Sequence, residues 1–270
     1  MSRVTAPLLI GGALAAAVVA AAVAGTALPP GAALAMHIPH RLLPPGPGHP
    51  FGTDQFGRDQ LTRILVGAQA SLEVALVATA VGLLAGVPLG AAAAMGGRRW
   101  DEVLMRLTDG MYAFPALLLA LMVVTALGPG LAHTALAIGI VSAPPFARLT
   151  RARLLELRPL EYVEAARASG LGPWQVLIRH LLPGAYGALA VQASANMGGA
   201  ILVEAALSYL GLGVQPPQPS WGGMLNDAQG FFLTSPWLAL FPGLAITVAV
   251  LGFNLLGDGL SDLLEPRTRG

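Results

Sequence analysis

The stretch LRPLEYVEAARASGLGPWQVLIRHLLPGA, residues 157–185, is out of keeping with the chain around it. Its flanks are built mostly from Ala, Leu, Val and Gly. Here charged side chains crowd together, and prolines and glycines break the run. Pro159 suits the first turn of a helix, where its missing N–H costs nothing. Gly170 suits a left-handed cap. The eleven or so residues 159–169 would then span roughly 16 Å as a helix. Pro173 opens a second helix and Pro183 stops it. Ala165, Ala166 and Ala168 leave room for another surface to approach the backbone. Glu161, Glu164 and Arg167 follow one drifting stripe. Two readings are open: a solvated hairpin, or a docking element for a partner.

The rest of the chain decides where this segment lies. Of 270 residues, 55% are hydrophobic and only 11% charged, where a soluble domain carries roughly 25%. This is the composition of a polytopic membrane protein. The net charge of +1 gives no argument for nucleic acid. All 15 basic residues are Arg, so a phosphate loop of the G-x-x-x-x-G-K-[ST] type, which needs its Lys, is absent. With 0 Cys there is no disulfide, iron–sulfur cluster or thiol nucleophile.

Six apolar stretches fit or nearly fit the ~20 residues a crossing helix needs: 8–28, 72–95, 111–127, 131–147, 187–207 and 237–256. The first is read as a retained anchor rather than a cleaved signal, although Ala33–Leu34–Ala35 resembles a cleavage site. Twelve arginines then fall on one side: Arg3, Arg98, Arg99, Arg106, Arg148, Arg151, Arg153, Arg158, Arg167, Arg179, Arg267 and Arg269. Three fall on the other: Arg41, Arg58 and Arg63. The positive-inside rule places both termini, and the opening segment, in the cytoplasm.

The segment EAARASG followed by HLLP resembles the EAA loop of bacterial ABC importer permeases: Glu-Ala-Ala, three residues, Gly, nine residues, Ile-x-Leu-Pro. It falls on Glu164, Ala165, Ala166, Gly170, His180, Leu182 and Pro183. His180 replaces the Ile, the form usual in the oligopeptide, dipeptide and nickel branch. Gly184 stands where that branch commonly has Asn. HPFGTDQFGRD (49–59), LSYLGLGVQPPQPSWGGML (207–225) and FPGLAITVAVLGFNLLGDGLSDLLEPR (241–267) resemble the same branch, nearer its dipeptide-type C subunit. The resemblance implies an all-α ABC importer type I permease fold, with one domain over 1–270, a core over 68–260 and the EAA loop over 148–184. It implies a bacterial inner-membrane subunit that binds no cofactor of its own. The partners implied are a homologous permease subunit, two ATPase subunits that bind ATP and Mg²⁺ and receive the EAA helix in a groove, and an external substrate-binding protein. Cargo would be di- or oligopeptides, with nickel or another small solute as the alternative.

Outside the loop, Glu73 and Glu204 lie near the outer ends of spans. Each either faces a water-filled pathway or sits hydrated or paired with Arg58 or Arg63. Asp54 and Arg58, at i and i+4, suit a helix-surface pair. With Asp59 they suggest structural pairing or receptor contact more than a cation site. His37, His40 and His49 match no standard metal spacing, and His133 reads as a packing residue. Two other classes lack support. A membrane-embedded enzyme needs paired carboxylates in a span or an H-E-x-x-H helix. A secondary transporter usually shows internal repeats.

Overall fold

The computed structural model describes residues 5–264, so Arg3, Arg267, Arg269 and the end of the tail motif lie outside the described residues. The chain is helical, and β-type pairing is limited, among the described residues, to isolated bridges at Gly46–His49 and Thr53–Asp59. The long helices are α1 (Thr5–Thr26), α2 (Gln60–Met95), α3 (Arg98–Tyr112), α4 (Ala116–Leu127), α5 (Leu131–Leu157), α8 (Leu182–Tyr209) and α10 (Trp237–Leu264). Between α5 and α8 lie α6 (Glu161–Ala168) and α7 (Pro173–Val176), and α9 (Trp221–Ala228) precedes α10.

Helix lengths differ from the sequence expectation in ways that local chemistry explains. Helix α2 starts at Gln60 rather than near residue 72, because the Asp59 carboxylate caps it by accepting from the Thr62 N–H. The expected span 111–127 is mostly α4, and α3, which no apolar run marked, precedes it at a bend of 91°. Pro115 stands at the bend with an extended backbone; it offers no N–H and disfavours a helical residue before it. Helix α5 runs on to Leu157, so residues 148–157, expected to open a loop, form a helical stalk.

Among the described residues three helices are each long and apolar enough to cross a bilayer, and there are four if the bent pair α3–α4 counts as one span. The other two expected spans, 131–147 and 187–207, lie in longer helices that carry polar residues. Helices α5 and α8 have the length, 27 and 28 residues, but α5 carries Arg148, Arg151 and Arg153, and α8 carries Gln192, Asn196 and Glu204.

Glycine sets how these helices meet. Gly82, Gly86 and Gly90 recur at every fourth residue along α2, and α5 lies directly on them. A Cβ on these residues would approach Ser142 Cβ to 2.8 Å, Phe146 Cβ to 2.6 Å and Thr150 Cβ to 2.7 Å, respectively. Gly252 and Gly259 of α10 admit α1 in the same way. Ala15, Val18 and Ala22 of α1 are thereby buried in the same core as Val74, Val124, Ile201 and Phe253. Trp221 of α9, 1% exposed, donates its indole N–H to the Ile64 carbonyl at 3.0 Å and closes the end of the bundle remote from α6.

Overpacking a tight core costs about 1–3 kcal/mol. Gly86→Val is therefore expected to lower the thermal midpoint of the detergent-solubilised chain by several degrees. Gly199→Val, where a Cβ meets nothing within 4 Å, should leave it nearly unchanged. Equal midpoints would show that the α2–α5 seam is not tightly packed.

Candidate functional site

At the arginine-rich end, α6 is held by two side chains. Val163 is buried in a cluster with Ala91, Ala94, Leu154 and Leu181, and Ala166, three residues on, is also buried. The opposite face, with Glu161, Glu164, Ala165 and Ala168, is exposed. Helix α6 has eight residues, fewer than expected, because Pro159 lies outside it: the Leu160 N–H closes a turn on the Leu157 carbonyl at 3.1 Å, and Leu160 is the N-cap. Its other end matches expectation. Gly170 has φ +84°, its N–H donates to the Arg167 carbonyl at 3.0 Å, and the Leu171 N–H donates to the Ala166 carbonyl at 3.3 Å. These are the two bonds of a Schellman cap.

The chain then returns to the span without stopping. Leu177–Leu181 form one π turn, and the Leu182 N–H reaches the Leu177 carbonyl. Pro183 thus falls in the first turn of α8 and does not end a helix; a proline is tolerated there because first-turn N–H groups have no intrahelical partner. The Tyr162 hydroxyl donates to the His180 carbonyl at 3.4 Å, tying α6 to this turn. The motif residues therefore divide by role. Glu164 and Ala165 face outward, Ala166 anchors, Gly170 caps, and His180, Leu182 and Pro183 join the hairpin to the membrane span. Glu161, which is outside the motif, shares the outward face with Glu164.

The opposite end holds a buried ionic lock. Asp54, 2% exposed, accepts at Oδ1 from the N–H groups of Phe56 (2.8 Å) and Arg58 (2.9 Å), and at Oδ2 from Arg58 Nε (2.6 Å) and from Arg63. Arg63 also donates to Asp227 of α9 at 3.1 Å. The Asp54–Arg58 pair exists, but not on a helix, since Gly52 and Gly57 have φ +75° and +72° and fold the segment into turns. Asp59 is occupied as the α2 cap and by His49 Nδ1 at 2.9 Å. Asp227 escaped the sequence reading. It is the one acidic residue between residues 205 and 236, facing a segment with two arginines, and charge balance was the available signal.

Glu204 is fully buried, at 0% exposure, so it neither lines an open path nor meets Arg58 or Arg63. It accepts from Ser71 of α2 at 3.0 Å and from Ser208 at 2.7 Å. The Ser208 oxygen in turn accepts the Val214 N–H at 3.1 Å. Glu73 is the contrast: exposed on α2, with no ion pair among the described residues. His133 is exposed and its Nδ1 lies 3.1 Å from the Gly128 carbonyl. No group of three or more metal-binding side chains occurs among the described residues.

Residues 86–270 match the family model described as binding-protein-dependent transport system inner membrane component. The chain belongs to this family of transport permeases. A permease of this family is a transport component set in a membrane, in keeping with its apolar helices. The chain is 45% identical over 230 residues to the dipeptide transport system permease protein DppC of Alkalihalophilus pseudofirmus, covering 85% of this chain and 76% of that one. It is 44% identical over 225 residues to the glutathione transport system permease protein GsiD of Pectobacterium atrosepticum, covering 83% and 75%. The fold is similar to that of a chain of the MetNI methionine ABC transporter in an inward-facing form, with a TM-score of 0.63 at 19% identity, covering 75% of this chain and 96% of that one.

Two substitutions check the permease's two ends. At Gly170 a Cβ would meet nothing within 4 Å, so the cost of a side chain is conformational, about 1–2 kcal/mol. Gly170→Val should speed amide exchange in α6, and Gly170→Asn should restore most of the protection; equal exchange in all three would remove the cap. At the other end, Asp54→Asn leaves two buried guanidinium groups short of a countercharge, a loss of about 3–5 kcal/mol. Faster proteolysis between residues 37 and 59 is expected, and wild-type resistance would show that the lock contributes little.

Proposed function

We propose that this permease forms half of the translocation pathway for di- and oligopeptides in an ATP-driven importer, and that it receives the motion of an ATPase subunit through α6. The observation that carries the coupling role is the division of α6 into two faces. Val163 and Ala166 fix the helix to the bundle. Glu161, Glu164, Ala165 and Ala168 present a low, acidic surface to solvent. A groove lined by donors on a partner can approach the backbone closely there and pair with the carboxylates.

Peptide cargo is supported by the names of the relatives, which carry dipeptides and glutathione; nickel has no such support. The assembly proposed is a second, homologous permease, two ATPase subunits that bind ATP and Mg²⁺, and an external binding protein. Orientation follows the arginine asymmetry: α6 and both termini lie in the cytoplasm, and the Asp54–Arg63–Asp227 lock lies outside. Since Asp54, Arg58, Asp59 and Glu204 are engaged within the chain, Glu73 is the remaining candidate for the pathway. An unpaired carboxylate inside a span is stable only against water or a partner.

Glu164→Arg reverses a charge and adds bulk beside Ala165. Losing a charged contact of this kind corresponds to about 1.5–3 kcal/mol, roughly a tenfold to hundredfold weaker association. The variant should insert and pair with the second permease normally, yet lose ATPase association or its stimulation by loaded binding protein. Glu156→Arg, exposed on the α5 stalk, is the control. If both variants behave alike, or if Glu164→Arg transports normally, α6 is only a solvated hairpin.

A further inference from the structure

Helix α3 has three faces, and the coupling role of α6 uses none of them. One face docks on α5. Asp109 pairs with Arg148 at 2.5 Å, Asp101 pairs with Arg151, and Thr108 between them is 2% exposed. The Arg148 guanidinium also stacks on the Tyr112 ring at 3.9 Å. A second face is apolar and uncovered: Trp100, Val103 and Leu107, at i, i+3 and i+7, are 62%, 60% and 58% exposed. A third is basic. Arg98 is taken by Glu102 at 2.8 Å, but Arg99 and Arg106 are exposed and have no ion pair among the described residues.

The level and direction of this helix are both constrained. Arg148 and Arg151 stand where the apolar part of α5 gives way to its charged stalk, so the two ion pairs hold α3 at a membrane boundary. The 91° bend to α4 turns α3 across the direction of the crossing helix. Beyond the bend, Phe114 and Leu118 are each 52% exposed, so apolar surface continues onto α4.

We propose that α3 lies in the plane of the cytoplasmic leaflet as a surface helix, with Trp100, Val103 and Leu107 in the acyl–headgroup boundary and Arg99 and Arg106 binding the phosphates of anionic phospholipids. The proposal rests on the reading above only for which leaflet is meant. A helix with an aromatic–aliphatic stripe beside basic residues is the form that settles at such a boundary, and Trp favours that depth. Charge complementarity selects anionic headgroups: three of the five arginines here, Arg98, Arg148 and Arg151, are neutralised within the chain, and the two that are free flank the apolar stripe.

The chain has 0 Cys, so single cysteines for labelling need no prior removal. Val103→Cys, Leu107→Cys and Glu102→Cys would carry a nitroxide in the assembled transporter, in nanodiscs of phosphatidylcholine with phosphatidylglycerol. Labels at 103 and 107 should relax more with oxygen than with a nickel chelate, and the label at 102 the reverse. Shielding of 103 and 107 from both reagents would mean a protein partner covers the stripe; greater exposure to the chelate would mean water does. Either result overturns the proposal. For the headgroups, a fluorophore at 107 should be quenched by nitroxide-labelled phosphatidylglycerol in preference to the phosphatidylcholine analogue, by on the order of fivefold per arginine. The preference should vanish in Arg99→Gln/Arg106→Gln. A preference that survives the double substitution, or is absent from the start, removes the phospholipid site. No readout depends on transport, so failure here and failure of the peptide-import reading remain separate.

Discussion

The close seam between α2 and α5 is the constraint on which the other elements depend. Between two helices in lipid there is no water to expel, so association relies on packing and on how nearly two backbones approach. Gly82, Gly86 and Gly90 provide that approach over two turns, and Ser142, Phe146 and Thr150 fill it. Because α5 is fixed there, its charged end projects as a stiff stalk. That stalk positions α6, through Leu154 in the cluster that buries Val163, and it anchors α3 through Arg148 and Arg151. Under the proposed coupling role, movement imposed on α6 would be passed to helices that cross the membrane rather than lost in a loose loop.

The turn before α2 and the outward face of α6 treat charge in opposite ways. At one, Asp54, Arg58, Arg63 and Asp227 consume one another, and the first three are nearly sealed from water. Such a set is costly to break and fixes the geometry of the segments it joins, here the turn before α2 and helix α9. Glu204 with Ser71 and Ser208 acts likewise one layer deeper. At the other, Glu161, Glu164 and Arg167 stay exposed, and their energy is available to a partner. Pairing within the chain builds the scaffold, and pairing left unmade marks surfaces for contact.

Much of this was legible in the residues themselves. The apolar runs located every long helix except α3, which is amphipathic, because a membrane imposes length and apolarity directly on the sequence of a crossing helix. The Gly170 cap was legible because only a residue without a Cβ reverses the chain at φ +84° at little cost. The bend at Pro115 and the passage of Pro183 into α8 were not. A proline removes one N–H wherever it stands, and whether the helix bends, stops or absorbs the loss through a π turn depends on what packs beside it.

Composition and pattern by themselves determined that this is an all-helical membrane protein with one polar hairpin set apart from its apolar spans, since burial, hydration and helix capping are properties of single residues and their near neighbours. The tertiary structure decided which charges are available. Asp54 and Glu164 are both carboxylates in polar segments, yet one is locked by arginines and the other is open. Asp227 joins Arg63 across 164 positions of chain, and Glu204 meets Ser71 across 133. Pairing over such separations follows from the crossing of helices, and no local pattern in the sequence records it.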